Sequence, residues 1–243
     1  MKKSKIHSDE IDLIIVGTVT PDHYTPSTAA IVQKNINACN AWGFDLSAAC
    51  SGYIFGLETG SNFIESGKYQ KVMVIGVDTM SSILDFQDRD TCVIFGDGAG
   101  AVLFEPNYEG YGLKDEILKV DGNGRNFLKI EAGGSMLPAS NQTIENRQHF
   151  LQQDGRPVFK FAVSYMTEVI TKLLKRNSLE KNEIDYKWPK IESNSTIKIN
   201  SLTKVLYSED NDYQYWEWSK REPWWSNYRS DPWTEKANWI RNY

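Results

Sequence analysis

From Ile11 to Gly17 the chain reads Ile-Asp-Leu-Ile-Ile-Val-Gly, a nearly unbroken β-branched apolar run. Such a run is expected of a strand covered on both faces. A loop holding Pro21 and Pro26 follows, then Ser27 or Thr28 can cap a helix reaching about Ile36. Trp42–Leu46 reads as a short strand, and Tyr53–Ser66 places Ile54, Leu57 and Ile64 on a helical period. Ser47-Ala48-Ala49-Cys50-Ser51-Gly52 joins the two, so Cys50 is expected at a strand-to-helix junction. Lys71–Val77 is a second apolar strand, and the opening half alternates strand and helix in the manner of a parallel sheet.

Beyond it the pattern is less regular. An Asp-rich segment, Ser81–Thr91, leads into Cys92-Val93-Ile94-Phe95, read as strand, and then into Gly96-Asp97-Gly98-Ala99-Gly100-Ala101-Val102-Leu103-Phe104, a glycine-rich turn running into another strand. Gly110–Val120 is a candidate strand. The polar stretch Asp121–Gly155 predicts a lid, a binding loop or a set of short irregular elements. Val158–Arg176 supports a helix, and Ile184-Asp185-Tyr186 reads as the lead-in to a strand that the following residues do not continue. From Lys187 the composition changes. The tail holds seven of the eight tryptophans, with Trp216, Trp218, Trp224, Trp225, Trp233 and Trp239 among polar neighbours, and only Ile197–Tyr207 offers a plausible element. Two accounts of the tail stay open: an atypical terminal extension, or a segment that replaces the normal continuation through an altered reading frame or a truncated gene.

At 243 residues the chain can bury a substantial core as one large α/β domain or as two packed halves. With 27 basic and 32 acidic residues, net charge −5 and no long block of like charge, neither a nucleic-acid nor a membrane partner is expected. No apolar leader follows Met1–Glu10 and no run is long enough to span a bilayer, so the reading is cytoplasmic. Cys39, Cys50 and Cys92 are an odd set without a C-x-x-C pair, which argues against disulfides and a zinc knuckle.

The candidate chemistry centres on Cys50. A thiol at a helix N-terminus faces unpaired backbone N–H groups and the positive end of the helix dipole, both of which favour thiolate. Ala48, Ala49, Ser51 and Gly52 leave room beside the sulfur for a carbonyl. A buried structural cysteine is the alternative from spacing alone. Cys39 reads as a helix-end packing residue and Cys92 as core. Phe95–Gly100 has the glycine density of a phosphate loop but no following Lys-Ser/Thr, so a tight turn packed beneath an active site, tied by Asp97, is the structural reading. His7, His23 and His149 share no short spacing, so no metal site is expected.

Together, Gly17-Thr18-Val19-Thr20-Pro21-Asp22, Phe44-Asp45-Leu46-Ser47-Ala48-Ala49-Cys50-Ser51-Gly52, Ile75-Gly76-Val77-Asp78 and Phe95-Gly96-Asp97-Gly98-Ala99-Gly100 closely resemble beta-ketoacyl-acyl-carrier-protein synthase III. The likeness continues through Gly122-Asn123-Gly124-Arg125, Ala132-Gly133-Gly134-Ser135 and Pro157–Val163, in collinear order over about residues 11–186. It implies a thiolase-like α/β fold of α-β-α-β-α layers, here expected to be incomplete at both ends. Residues 1–105 would form a partial N-terminal half carrying the nucleophile and 106–186 the start of the C-terminal half, with 187–243 as the Trp-rich tail. The resemblance further implies a homodimer with no tightly bound cofactor, using acetyl-CoA or another short acyl-CoA as substrate and malonyl-acyl-carrier protein as partner. Cys50 would be the acylated nucleophile in the first condensation of fatty acid synthesis. Arg89 matches an arginine near the CoA phosphates, Gly96, Asp97, Gly98 and Gly100 match a structural motif near the site, and Thr25 falls at the acyl pocket and dimer boundary.

The chain departs from the family pattern where a Pro-His-Gln-Ala-Asn-like segment and a later Gly-Asn-Thr-like segment are expected. Lys187-Trp188-Pro189-Lys190 stands at the first, and no histidine follows His149. Those family residues support malonyl decarboxylation, so acylation of Cys50 is expected to outlast condensation. By the same comparison the family's first strand is expected to be missing, which predicts open hydrogen-bonding edges. A catalytically defective, acyl-accepting or protein-interaction module is the alternative reading, and the aromatic tail as an interaction element is a third.

Overall fold

The computed structural model describes residues 6–109, 112–184, 187–191 and 197–200. Its centre is a four-stranded sheet in the order β2-β1-β3-β4, formed by β1 (Leu13–Gly17), β2 (Trp42–Leu46), β3 (Val72–Asp78) and β4 (Gly98–Phe104). β1 runs parallel to β2 and β3, whereas β4 is antiparallel to β3.

The two faces of β1 explain its unbroken apolar sequence. Ile14 and Val16 join a cluster with Ile11, Ala29 and Ala38, under helix α1 (Thr28–Asn35). Leu13 and Ile15 join Leu57, Val72 and Val74, under helix α2 (Gly52–Glu65). All four β1 side chains are fully buried, so neither face tolerates a polar residue. The helix–sheet–helix arrangement supplies three of the five expected layers.

Local chemistry places both helices. The Ser27 side chain accepts from Ala30 N–H, and the Asp45 carboxylate at the end of β2 accepts from Thr28 and Ala29 N–H at 2.7 and 2.8 Å. The helix therefore begins on a negative charge supplied by the sheet it packs against. α2 instead approaches through glycine. A Cβ on Gly56 would lie 2.9 Å from Val74 Cγ1, and one on Gly60 2.8 Å from Val74 Cγ2. Gly52, Gly56 and Gly60 recur every four residues and form the sheet-facing stripe, together with Leu57, while Ile54 is exposed. The helix pays in propensity, about 0.5–1 kcal/mol per interior glycine relative to alanine, and gains close docking.

Several expectations are corrected. The sequence predicts open edges without placing them; among the described residues the outer strands of this sheet are β2 and β4, and β1 is paired on both sides. Cys92–Phe95 is a turn, not a strand: Cys92 N–H bonds Asp88 O and Ile94 N–H bonds Thr91 O, while Thr91 is buried with its hydroxyl on the Asp88 carboxylate at 2.7 Å. These local side-chain partners outcompete a ladder, leaving Cys92 only partly buried and Val93 and Ile94 exposed. Cys39 is exposed too; Ala38 beside it fills the core. The described part of Gly110–Val120 contains no extended strand. Its polar groups go to the end of helix α4 (Gly155–Arg176): the Arg176 guanidinium grips the Asp115 carboxylate through two nitrogens and bonds Glu116 O at 2.6 Å.

The polar stretch resolves into short elements, β5 (Leu128–Ile130), helix α3 (Asn141–Glu145) and β6 (Leu151–Gln153), with β5 and β6 forming an antiparallel ribbon. A strand does follow Tyr186: β7 (Lys187–Ile191) pairs antiparallel with β8 (Ile197–Asn200). Its register is irregular between Lys187 and Lys190, the interval that contains Pro189, which has no N–H to give to a ladder. The remainder of the Ile197–Tyr207 element and the later tryptophans lie outside the described residues.

The Arg176 hydrogen bonds hold the Asp115 carboxyl below its usual range. A carboxyl depressed in the folded state stabilises the fold above its unfolded pKa, and that contribution disappears as pH falls through the lowered folded value. Protection of the amides at Asp115–Glu116 and the C-terminal turn of α4, taken relative to their intrinsic exchange rates at each pH, is therefore expected to fall on acidification below the ordinary carboxylate range. Asp115→Asn should begin with raised exchange there and show a weaker acid response; an unchanged response would remove the clasp from the account.

Candidate active site

β2 ends at Leu46, and within six residues the chain has turned into α2. Ala49 makes that turn with φ 47°, a left-handed conformation that costs a non-glycine residue on the order of 1 kcal/mol. Cys50 follows within a 3-10 turn, Ala49–Ser51, directly ahead of Gly52. Gly17 at the end of β1 seats the first turn of α2. A Cβ there would lie 2.8 Å from Gly52 C, 2.9 Å from Gly52 O and 3.1 Å from Tyr53 N. The end of β1 thus touches backbone two and three residues past the thiol.

Cys50 is exposed, on a cavity of about 770 Å³. Its lining is drawn from the C-terminal ends of β1 and β3 and from the turn carrying Gly96 with the start of β4. Ile83 comes from the segment after β3, and Leu128, Ile130 and Leu151 from the β5–β6 ribbon. The Tyr53 ring lies against Gly76, where a Cβ would be 2.9 Å from Tyr53 Cδ2. This wall is mainly apolar, suited to an aliphatic chain beside a thiol.

Asp78 is the one carboxylate in that lining among the described residues. Its Oδ1 accepts from Val19 N–H at 2.8 Å and from the Thr18 and Thr20 hydroxyls, each at 3.1 Å. Thr20 Oγ1 in turn accepts from Thr79 N–H at 2.7 Å. Asp78 therefore ties the loop after β1 to the end of β3, next to the thiol.

The other sequence-selected residues fall in different places. Gly96, Gly98 and Gly100 line the cavity, but a Cβ on any of them would meet nothing within 4 Å among the described residues. The expected close packing beneath the site is therefore absent here, because no described element covers that face. Asp97 does act as a tie, though to a neighbouring segment: its carboxylate accepts from Ser81 N–H and Ser81 Oγ, both at 2.7 Å. Arg89 is exposed and outside the lining, as is Thr25, whose neighbour Tyr24 donates from its hydroxyl to Gly133 O at 3.1 Å. His23 is exposed, and His149 Nε2 lies 2.9 Å from Thr143 Oγ1. Among the described residues no cluster of His, Cys, Asp or Glu could hold a metal ion, and no helix is long and apolar enough to cross a membrane. The ribbon wall is the component that sequence reading missed. Its signal was Leu128 and Ile130 alternating within a polar stretch, with Leu151 recurring beyond it.

The family described as 3-oxoacyl-[acyl-carrier-protein] synthase III matches residues 44–122, the interval that holds Cys50 and the glycine-rich turn. Beta-ketoacyl-[acyl-carrier-protein] synthase III of Chlorobaculum tepidum is 56% identical over 191 residues, covering 78% of this chain and 58% of that protein. The chain belongs to this family. The synthase III of Koribacter versatilis is 53% identical over 182 residues, covering 74% of this chain and 55% of its own length. The chain thus spans somewhat over half the length of these relatives. The synthase III structure from Aquifex aeolicus superposes with TM-score 0.66 at 35% identity, over 75% of this chain and 55% of that one. Another crystal structure of a 3-oxoacyl-(acyl-carrier-protein) synthase III gives TM-score 0.71 at 24% identity, a likeness of fold. The architecture is thiolase-like α/β, as the sequence motifs implied.

Proposed function

We propose that this chain carries the acyl-accepting site of a beta-ketoacyl-acyl-carrier-protein synthase III, with Cys50 as nucleophile. The observation that carries this reading is the position of the thiol: it is exposed, immediately ahead of α2, on an apolar cavity of about 770 Å³. In the first half-reaction Cys50 Sγ bonds to the carbonyl carbon of acetyl-CoA or another short acyl-CoA. The carbon–sulfur bond to CoA breaks, and CoA leaves as a thiol after taking a proton. The Cys50 N–H is positioned in sequence to help stabilise the oxyanion between these steps. In the second, malonyl-acyl-carrier protein loses CO2, its carbanion bonds to the acyl carbon, and the Cys50 thiolate is released.

Arg89, exposed in an acidic turn, is assigned to the CoA phosphates through charge-assisted hydrogen bonds. Thr25 is assigned to the acyl-pocket boundary with a second copy. β4 is an edge strand, and a strand edge supports pairing between two copies in a homodimer. The cytoplasm is the compartment where acyl-CoA and malonyl-acyl-carrier protein would meet the enzyme. Residues 1–105 and 106–186 are assigned to the two halves of the fold and 187–243 to a tail.

The described cavity lining includes Asp78 but no histidine, and Asp78 already accepts three hydrogen bonds. Acyl transfer is accordingly expected to run ahead of condensation. Intact mass after incubation with acetyl-CoA should rise by one acetyl group, and adding malonyl-acyl-carrier protein should then release little 3-ketoacyl product. Folded protein that takes up no acetyl group overturns the acyl-accepting reading. Rapid product release overturns the expected order of the two steps.

A further inference from the structure

The β5–β6 ribbon that contributes Leu128, Ile130 and Leu151 to the cavity is joined to the rest of the lining by few hydrogen bonds among the described residues. β5 and β6 are three residues each and pair with each other, not with the central sheet. A two-stranded ribbon of that size has no independent stability. Much of its hydrogen bonding is internal: Ala132 N–H to Gln148 O, Asp154 N–H to Phe127 O and Gln148 N–H to Thr143 O. The contacts that reach the walls of the Cys50 cavity converge on one place, the segment after β3. Leu151 N–H donates to Ile83 O at 2.8 Å. Two residues along, the Asp85 carboxylate accepts a fork from Arg147, with Nε–H on Oδ2 at 2.8 Å and Nη2–H on Oδ1.

This pair is built rather than incidental. The Asp85 side chain is only 15% exposed, and a bidentate fork fixes orientation as well as distance. The Arg147 guanidinium lies 5.0 Å from the centroid of the Phe150 ring, which limits its rotamers. Arg147 itself adopts φ 56°, a left-handed backbone that a non-glycine residue holds only when its surroundings demand it. Asp85 also accepts from Gln87 N–H at 2.8 Å, and its carbonyl accepts from Asp88 N–H at 2.9 Å. Asp85 thus organises the turn that leads to Arg89 through both its carboxylate and its carbonyl.

We propose that the Asp85–Arg147 pair is the latch that fixes the β5–β6 ribbon over Cys50, and that these two residues position Leu128, Ile130 and Leu151 so as to set the length of acyl chain the cavity admits. The selectivity part rests on the acyl-accepting reading above; the latch itself does not. Without the fork, the ribbon keeps the Leu151–Ile83 bond and the outer Tyr24–Gly133 contact, so the apolar wall opens more often while the sheet and α2 remain in place.

The test uses the full chain in a Cys39→Ser, Cys92→Ser background, so that Cys50 is the one thiol read. Alkylation by a small reagent, iodoacetamide, is compared with alkylation by a bulky one, N-benzylmaleimide, using intact mass. Arg147→Ala and Asp85→Asn are each expected to accelerate the bulky reagent about threefold to fivefold and the small one by less than about twofold, the upper scale of a partly exposed ion pair. Arg147→Lys, which keeps charge but loses the fork, should fall between. The exchange Asp85→Arg with Arg147→Asp should recover much of the parent discrimination, a result that simple loss of packing would not give.

In a second arm, competition among acyl-CoA substrates of increasing chain length should shift Cys50 acylation toward longer chains in Arg147→Ala. If no acyl-CoA labels any variant, the acyl-accepting reading fails and alkylation still decides the latch. Equal bulky-reagent rates in parent and Arg147→Ala, with matching circular dichroism, overturn the latch. If Arg147→Ala loses its circular dichroism signal, Arg147→Lys decides: a parental rate in folded protein counts against it, and an intermediate rate for it.

Discussion

Replacing Cys50 by alanine should abolish the mass gain proposed for acetyl-CoA, leaving no detectable acyl-protein. The expectation follows from placement. Three thiols are present, and both Cys39 and Cys50 are exposed, so exposure alone does not select the acceptor. Of the three, Cys50 lines the apolar cavity, directly ahead of α2 and beside the small Ala49. A thioester carbonyl approaching Cys50 can place its chain against Leu128 and Leu151, whereas the cavity lining includes neither Cys39 nor Cys92. Removing the sulfur leaves the cavity intact and deletes the bond-forming atom, so the loss should be complete rather than graded. Acyl uptake that persists in Cys50→Ala would move the site elsewhere. A parental circular dichroism spectrum of the same variant supplies the check that the fold is sound.

The second large effect concerns a residue without a side chain. Gly17→Ala is expected to destabilise the protein by about 1–3 kcal/mol, the usual scale for forcing a methyl into a closed contact. The atoms it would meet are backbone, Gly52 C and O and Tyr53 N, and backbone cannot rotate away. Relief requires the first turn of α2 to move off β1, and Cys50 moves with it. The reciprocal change is expected to be mild. A Cβ on Gly52 meets Gly17 Cα at 3.5 Å, ordinary contact, and Gly52 already has right-handed helical angles. Gly52→Ala should therefore lie within about 1 kcal/mol of the parent, helped by alanine's helix propensity. Urea midpoints for the two variants test the asymmetry. Equal losses would mean that the contact relaxes from either side.

These cases mark what could be read in advance. β1 was legible because both of its faces are covered and its sequence is apolar at every side-chain-bearing position. The strand-to-helix placement of Cys50 was legible because Trp42–Leu46 alternates into small residues and then a helical period. The stripe of Gly52, Gly56 and Gly60 was harder to read, since a search for apolar positions selected Ile54, which faces outward. Cys92–Phe95 misled for a related reason: β-branched residues favour strands, but Asp88 and Thr91 offered the backbone nearer partners. The ribbon wall escaped because its apolar residues are split between Leu128–Ile130 and Leu151, and periodicity does not connect segments so far apart. The Asp85–Arg147 fork is a tertiary pairing of the same kind, outside the reach of any local pattern.

The burial of β1 on both faces also has a consequence during synthesis. Leu13 pairs with Trp42 on one side and with Val72 on the other, so the strand emerges from the ribosome long before its second partner exists. Until β3 has been made, Ile11–Val16 is an apolar, β-branched segment with an unclaimed edge, the composition that most readily joins other chains. Translation slowed between Glu65 and Val72 would lengthen that interval, and the yield of soluble protein would fall with it.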